Sequence, residues 1–242
     1  PAPQNRQGDG RTGLTADANL AVSGGGSKSR YTASFNYLSQ KGTAAYNRFQ
    51  RGSVRLNTEF TVGPVSLGEN VSLSLQGLYG GRGDGEREGG IIGKNILMQP
   101  VVPVYTIRGE EQEAAGEDPG PHFASGKCVN CGNNSNPLKL AWAGKDNKYK
   151  QTVLFGNVFA AAAVTDQLSL RSSLGFNLSS ASRTSYSWIT PENSEPSFTD
   201  GLSEFFDTDN SWTWTNTATY STALAGRHNF AVLLGHEVSQ DT

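Results

Sequence analysis

Cys128-Val129-Asn130-Cys131 holds the residue types in this sequence that most readily do chemistry. A CxxC pair can close a disulfide, act as a redox dithiol or lend two thiolates to zinc. Structural zinc needs four ligands; no second pair accompanies this one, and His122 lies six residues ahead, not a usual finger spacing. A redox dithiol belongs at a helix N-terminus in an α/β setting, which the flanking residues do not suggest. A disulfide between Cys128 and Cys131 that staples a loop is the reading favoured, with free thiols and a metal site as alternatives. Two acidic stretches have oxygen ligands for calcium: Glu110-Glu111-Gln112-Glu113 with Glu117-Asp118, and Asp207-Thr208-Asp209-Asn210. Calcium takes six to eight oxygens, and neither stretch has the glycine of an EF-hand loop, so both read as solvated acidic segments. Gly80-Gly81-Arg82-Gly83-Asp84-Gly85 lacks the Lys-Ser/Thr and helix of a phosphate loop. His122, His228 and His236 have no partner Ser or Cys placed beside them by any motif. No catalytic, cofactor-binding or metal-binding residue is assigned, and the chain is not read as an enzyme.

Aromatic side chains offer a different chemistry, stacking. Trp142, Tyr186 and Trp188, with Phe198, Phe205 and Phe206, fall in long connecting segments. Their flat faces could stack on a sugar or peptide substrate, or pack the segments against one another. Trp212 and Trp214 are two apart and so share a strand face.

The elements that must carry these residues announce themselves by alternation. Ala16, Ala18, Leu20 and Val22 alternate with Asp17, Asn19 and Ser23, and Tyr31, Ala33, Phe35 and Tyr37 alternate with Arg30, Thr32, Ser34 and Asn36. Val54, Leu56, Phe60 and Val62 interleave Ser53, Arg55, Asn57, Glu59 and Thr61; Val71, Leu73 and Leu75 interleave Asn70, Ser72, Ser74 and Gln76. Leu168, Leu170, Leu174, Phe176 and Leu178, then Trp212, Trp214, Ala218 and Tyr220, then Phe230, Val232 and Leu234 repeat the pattern. Period-two alternation of this kind is the mark of a strand with one apolar and one polar face. Residues 151–164 are apolar in both phases (Val153, Phe155 and Phe159 against Leu154 and Val158), which leaves their facing open. Ile91–Met98 reads as a short helix.

The strands number about eight, and their connections alternate in length. Short links fall near 24–29, 63–65, 165–167 and 225–227, long ones near 39–50, 80–148 and 180–210. Tight turns at one end and large loops at the other are the pattern of a bacterial outer-membrane barrel. Composition agrees: 36% hydrophobic residues, 29 glycines and a mean hydropathy of −0.46 are thin for a soluble chain of 242 residues with one packed core. A barrel needs apolar side chains on its outer face only. The net charge of −2 argues against nucleic acid, which wants a basic patch. The chain opens on Pro1-Ala2-Pro3-Gln4, as though cut from something longer. The expected fold is therefore all-β, an antiparallel meander of about eight transmembrane strands from a larger outer-membrane β-barrel. A soluble all-β carbohydrate-binding module and a small self-closed barrel are the alternatives. In the barrel reading Trp212 and Trp214 form an aromatic girdle at the outer interface.

Particular segments carry a family resemblance. Leu20-Ala21-Val22-Ser23-Gly24-Gly25, Ser29-Arg30-Tyr31-Thr32-Ala33-Ser34, Tyr37-Leu38-Ser39-Gln40-Lys41-Gly42 and Phe49-Gln50-Arg51-Gly52-Ser53-Val54-Arg55-Leu56-Asn57 occur in order. Asn136-Pro137, Phe155-Gly156-Asn157, His228-Asn229-Phe230 and Leu234-Gly235-His236-Glu237 follow. This series resembles the early barrel of SusC/RagA-family TonB-linked (TonB-dependent) outer-membrane transporters. The resemblance implies a large barrel around a plug domain, a TonB-contacting N-terminal segment and a SusD-like surface lipoprotein as lid. It also implies uptake of glycans or oligosaccharides, or of peptides, across a bacterial outer membrane. Residues 1–242 then form part of the barrel, with a long extracellular loop at about 80–148 and without plug, TonB box or later strands. Arg55, Glu59 and Arg171 would face the lumen, where they could pair with the plug.

Overall fold

The computed structural model describes residues 12–81, 90–98, 104–105, 123, 135–189, 197–224 and 228–242. Eight strands form one antiparallel sheet in simple sequential order: β1 (Leu14–Gly25), β2 (Ser29–Lys41), β3 (Arg48–Val62), β4 (Val65–Tyr79), β5 (Lys148–Ala163), β6 (Leu168–Ser187), β7 (Gly201–Leu224) and β8 (His228–Asp241). Two short helices, α1 (Ile91–Leu97) and α2 (Pro137–Ala143), lie in the β4–β5 link. The expected meander is thus found. Among the described residues β1 pairs with β2 alone and β8 with β7 alone, so the sheet is open and the self-closed barrel is set aside.

Register sorts the side chains, because opposed residues point to the same side. Leu20, Phe35, Val54, Leu73, Leu154 and Leu178 lie on one continuous row across six strands. Phe176 and Leu174 carry the same face on to Trp212 and Trp214, and Ala218 and Tyr220 to Leu234 and Val232. The facing of β5 is settled by its neighbours. Leu154 and Val158 join the apolar side, whereas Val153, Phe155 and Phe159 share the polar side with Ser74, Ser72 and Ser173. The apolar face stays exposed over its whole extent, with Leu20, Phe35, Leu75, Leu174, Trp214 and Leu234 among its open side chains. No second layer covers either face among the described residues.

The tight turns have local causes. Gly63-Pro64 joins Val62 to Val65; Gly63 has φ 60°, and Pro64 is held at negative φ by its ring, as a type II′ hairpin turn demands. At the β5–β6 turn, Thr165 Oγ1 accepts from the backbone N–H groups of Gln167 (3.2 Å) and Leu168 (3.0 Å). Two links differ from expectation. The β2–β3 link spans only 42–47, and β6 and β7 run on to 187 and from 201, where a link over 180–210 was expected. Those extensions mix polar and apolar partners on both sides, from Ser179 against Asp209 and Arg183 against Phe205 to Tyr186 against Leu202, so the ladder continues past the apolar band without its regular alternation.

Candidate functional site

The described part of the β4–β5 link builds a small core at the long-link end of the sheet. α2 begins at Asn136, whose Oδ1 accepts from the N–H groups of Leu138 (3.0 Å) and Lys139 (3.4 Å), with Pro137 at the first helical position. That is a side-chain N-cap followed by the residue best suited to N1. The Asn136 Nδ2 also donates to the Val104 carbonyl at 2.9 Å, tying the helix to another stretch of the same link, and the residue is 1% exposed. The Asn-Pro pair that figured only as a resemblance in sequence is therefore a clamp.

Around it pack Ala45, Ile91, Val104, Leu138, Ala141 and Trp142, with Phe123 as a further aromatic wall. Tyr105 stacks on Phe123 (5.6 Å between centroids), Phe123 meets Trp142 (6.1 Å) and Trp142 meets Trp188 (5.6 Å). Trp188 Nε1 donates to the Ala143 carbonyl at 3.0 Å. The Lys145 ammonium lies 4.3 Å from the centre of the Trp142 ring, a cation–π distance, and 2.8 Å from Asp146. The link crosses close to β2–β3 at Gly80, which has φ 94°; a Cβ there would meet the Tyr46 carbonyl oxygen at 2.5 Å. Only glycine satisfies both the left-handed backbone and the close approach.

This core decides where the aromatic candidates sit. Trp142 is 8% exposed, its ring enclosed by Phe123, Trp188 and Lys145, so it packs the loop. Trp188 is half-buried beside it. Tyr186 is 37% exposed near the end of β6, on the side that continues the apolar face, with its N–H held by Asn147 Oδ1 at 2.7 Å. Phe205 and Phe206 are strand residues of β7 rather than loop residues, pointing to opposite sides. Trp212 and Trp214 both lie on the apolar face at 38% and 46% exposure, and Trp214 Nε1 donates to Ser172 Oγ at 2.9 Å. At the short-turn end Tyr220 Oη donates to Gln167 Oε1 at 3.0 Å.

The polar face carries a lattice of amides, hydroxyls and paired charges. Gln76 Nε2 donates to Gln151 Oε1 (2.5 Å), and Gln151 Nε2 to Ser179 Oγ (3.2 Å), bridging three strands. Asn36 Nδ2 donates to Asp17 (2.6 Å) and Asn19 (2.7 Å). Glu59 is engaged by Arg30 at 2.6 Å, and the Arg171 guanidinium lies 3.8 Å from the centre of the Phe159 ring. Of the three charges expected to seek a partner off the sheet, Arg55 alone has no described acid or ring against it; it stands between Ser34 and Ser72. Asp207 and Asp209 face this side, while Thr208 and Asn210 point away, so the Asp-Thr-Asp-Asn stretch does not converge on a point. Among the described residues no group of three metal-type ligands comes together. Cys128, Cys131, His122 and the stretch 110–118 lie outside the described residues. The α2 clamp is what sequence reasoning missed, although Asn-Pro before Leu-Lys-Leu-Ala-Trp is a helix-start pattern.

No family model matches the sequence, and no curated protein matches it. Solved structures do. A chain of the RagAB peptide importer in its 'closed-closed' state superposes with a TM-score of 0.68 at 20% identity, covering 100% of this chain and 27% of that one. A chain of the RagAB peptide transporter gives 0.71 at 21% identity, covering 98% and 25%. The importer's 'open-open' state gives 0.67 at 20% identity, covering 98% and 26%. The chain thus spans about a quarter of the length of the chains it matches, and the likeness establishes the fold: a run of strands from a larger β-barrel.

Proposed function

We propose that these eight strands are a lipid-facing sector of an outer-membrane nutrient importer of the SusC type. The observation that carries this is the sorting of the sheet: one apolar face running from Leu20 to Leu234, one polar face, and no layer over either among the described residues. Hydrocarbon is the solvent that suits the first face, and a water-filled, plugged lumen suits the second. The edges β1 and β8 present rows of N–H and C=O groups that lipid cannot satisfy, so further strands of the same barrel must pair with them. Long links would then lie outside the cell, and Trp212 and Trp214, both on the apolar face, would form an aromatic girdle at the outer interface.

A soluble carbohydrate-binding module would bury its apolar face under a second sheet, and nothing among the described residues does so. The substrate class favoured is a peptide, on the strength of the structural neighbours, which are described as peptide importers. Stacking on sugars is the alternative: Trp142 is enclosed in the loop core and Trp188 half-buried, while Tyr186, Phe198, Phe205 and Phe206 stay exposed. A surface lipoprotein of the SusD type over the long loops and the TonB complex on the periplasmic side complete the assembly. A Cys128–Cys131 disulfide would staple the long loop in that oxidising setting.

The test is the behaviour of the 242-residue chain without amphiphile. It should remain aggregated or unfolded in plain buffer and gain strand structure only with detergent or lipid. A monomer with a cooperative melt in plain buffer would overturn the membrane reading.

A further inference from the structure

The apolar face ends, toward the long links, in a row of cations. Past Tyr37, the next outward positions of β2 are Ser39 and Lys41; past Val54, those of β3 lead through Gln50 to Arg48. On β5 the sequence past Leu154 is Thr152, Lys150 and Lys148. Register joins them: Lys41 opposes Arg48, Arg48 opposes Tyr79, and Tyr79 opposes Lys148. The Arg48 guanidinium lies 4.6 Å from the centre of the Tyr79 ring, which confirms that both project from this face. All four cations are exposed, and among the described residues none is paired with an acid.

Two physical points make this arrangement unusual. Like charges directly opposed across a ladder repel, and Lys41 against Arg48 is such a pair. Of the described strand acids that share the face, Glu69 lies near the short-turn end, and Glu204 stands two strands beyond Lys148, about 10 Å away at ordinary strand spacing, with no ion pair between them. Asp146, close by in sequence, is engaged by Lys145. The row therefore presents four solvent-exposed positive charges, with no acid paired to them among the described residues, at the level where the hydrocarbon-facing surface gives way to the loops.

We infer that Lys41 and Arg48 on one side of Tyr79, and Lys148 and Lys150 on the other, bind the phosphates of a bis-phosphorylated glycolipid in the outer leaflet. This rests on the membrane reading above. Arg48 offers a bidentate fork and the lysines point charges for phosphate oxygens. The two cation pairs stand about 10 Å apart across two strand spacings, with Tyr79 between them, its ring packed over Gly77 and beside the Arg48 guanidinium. Acyl chains of the same molecule would run down the apolar face over Tyr37, Val54 and Leu154.

The experiment uses the intact outer-membrane protein that carries this chain, delipidated in detergent and titrated by native mass spectrometry. The probes are bis-phosphorylated lipid A and its dephosphorylated form. The wild type should hold the phosphorylated form at least about tenfold more tightly, since each basic residue near an anionic headgroup contributes a favourable increment. Lys41→Gln/Arg48→Gln/Lys148→Gln/Lys150→Gln should lose that preference. Lys41→Arg/Lys148→Arg/Lys150→Arg should keep it, and guards against misfolding of the first variant. Equal binding of the two lipids by the wild type, or an unchanged preference in the glutamine variant, overturns the inference while leaving the importer reading intact. A protein that stays monomeric and folded after all amphiphile is removed would instead sink both.

Discussion

Asn136 does two jobs with one side chain, and its replacement separates them. Asn136→Ala removes the N-cap of α2, worth roughly 1 kcal/mol, and leaves the carbonyl of the buried Val104 without its 2.9 Å donor, worth about 1–3 kcal/mol. Together the loop core should lose roughly 2–4 kcal/mol of local stability. Asn136→Ser keeps an oxygen for the Leu138 and Lys139 N–H groups but cannot reach Val104, so it should lose only the second share. Global unfolding of a barrel would hide this, because the loop core can open while the sheet stays paired. Amide exchange reports it directly. In the detergent-solubilised protein, protection across 138–143 should fall by roughly 30- to 1,000-fold in the alanine variant, at about tenfold per 1.4 kcal/mol. The serine variant should fall between it and wild type. Wild-type exchange in both variants would refute the claim that this clamp holds the loop core together.

Two further expectations follow from facing and from the loop chemistry. Val54→Arg puts a cation in the middle of the apolar face and should destabilise the bilayer-inserted protein by about 2–4 kcal/mol, whereas Ser53→Arg, one residue away on the polar face, should cost far less. Urea titrations of the protein folded into liposomes read the difference, and equal costs would mean the faces are assigned wrongly. Alkylation and mass spectrometry under non-reducing conditions should find Cys128 and Cys131 both blocked; two free thiols would rule out the disulfide.

Alternation alone determined most of the sheet. A strand with one face in hydrocarbon and one in water must change polarity at every residue, so Tyr31/Ala33/Phe35/Tyr37 and Leu168/Leu170/Leu174/Phe176 declare both strand and side. The tight turns were equally legible, because Gly63-Pro64 can do little else. Where both faces of β5 are apolar the same logic is mute, and only pairing with Leu73 and Leu178 decided that Leu154 looks outward and Phe155 inward. Beyond the apolar band the code fades altogether. The extensions of β6 and β7 satisfy their backbones through one another, so no side-chain rhythm marks where 187 ends and 201 begins. The fate of Trp142 is likewise a matter of tertiary structure. Phe123 and Trp188 lie far from it in sequence, and their closing over its ring turns a candidate stacking surface into the centre of a loop core. The cation row has the same origin. Lys148 and Lys150 share a face by their spacing, but only strand register brings them alongside Lys41 and Arg48 on the apolar side.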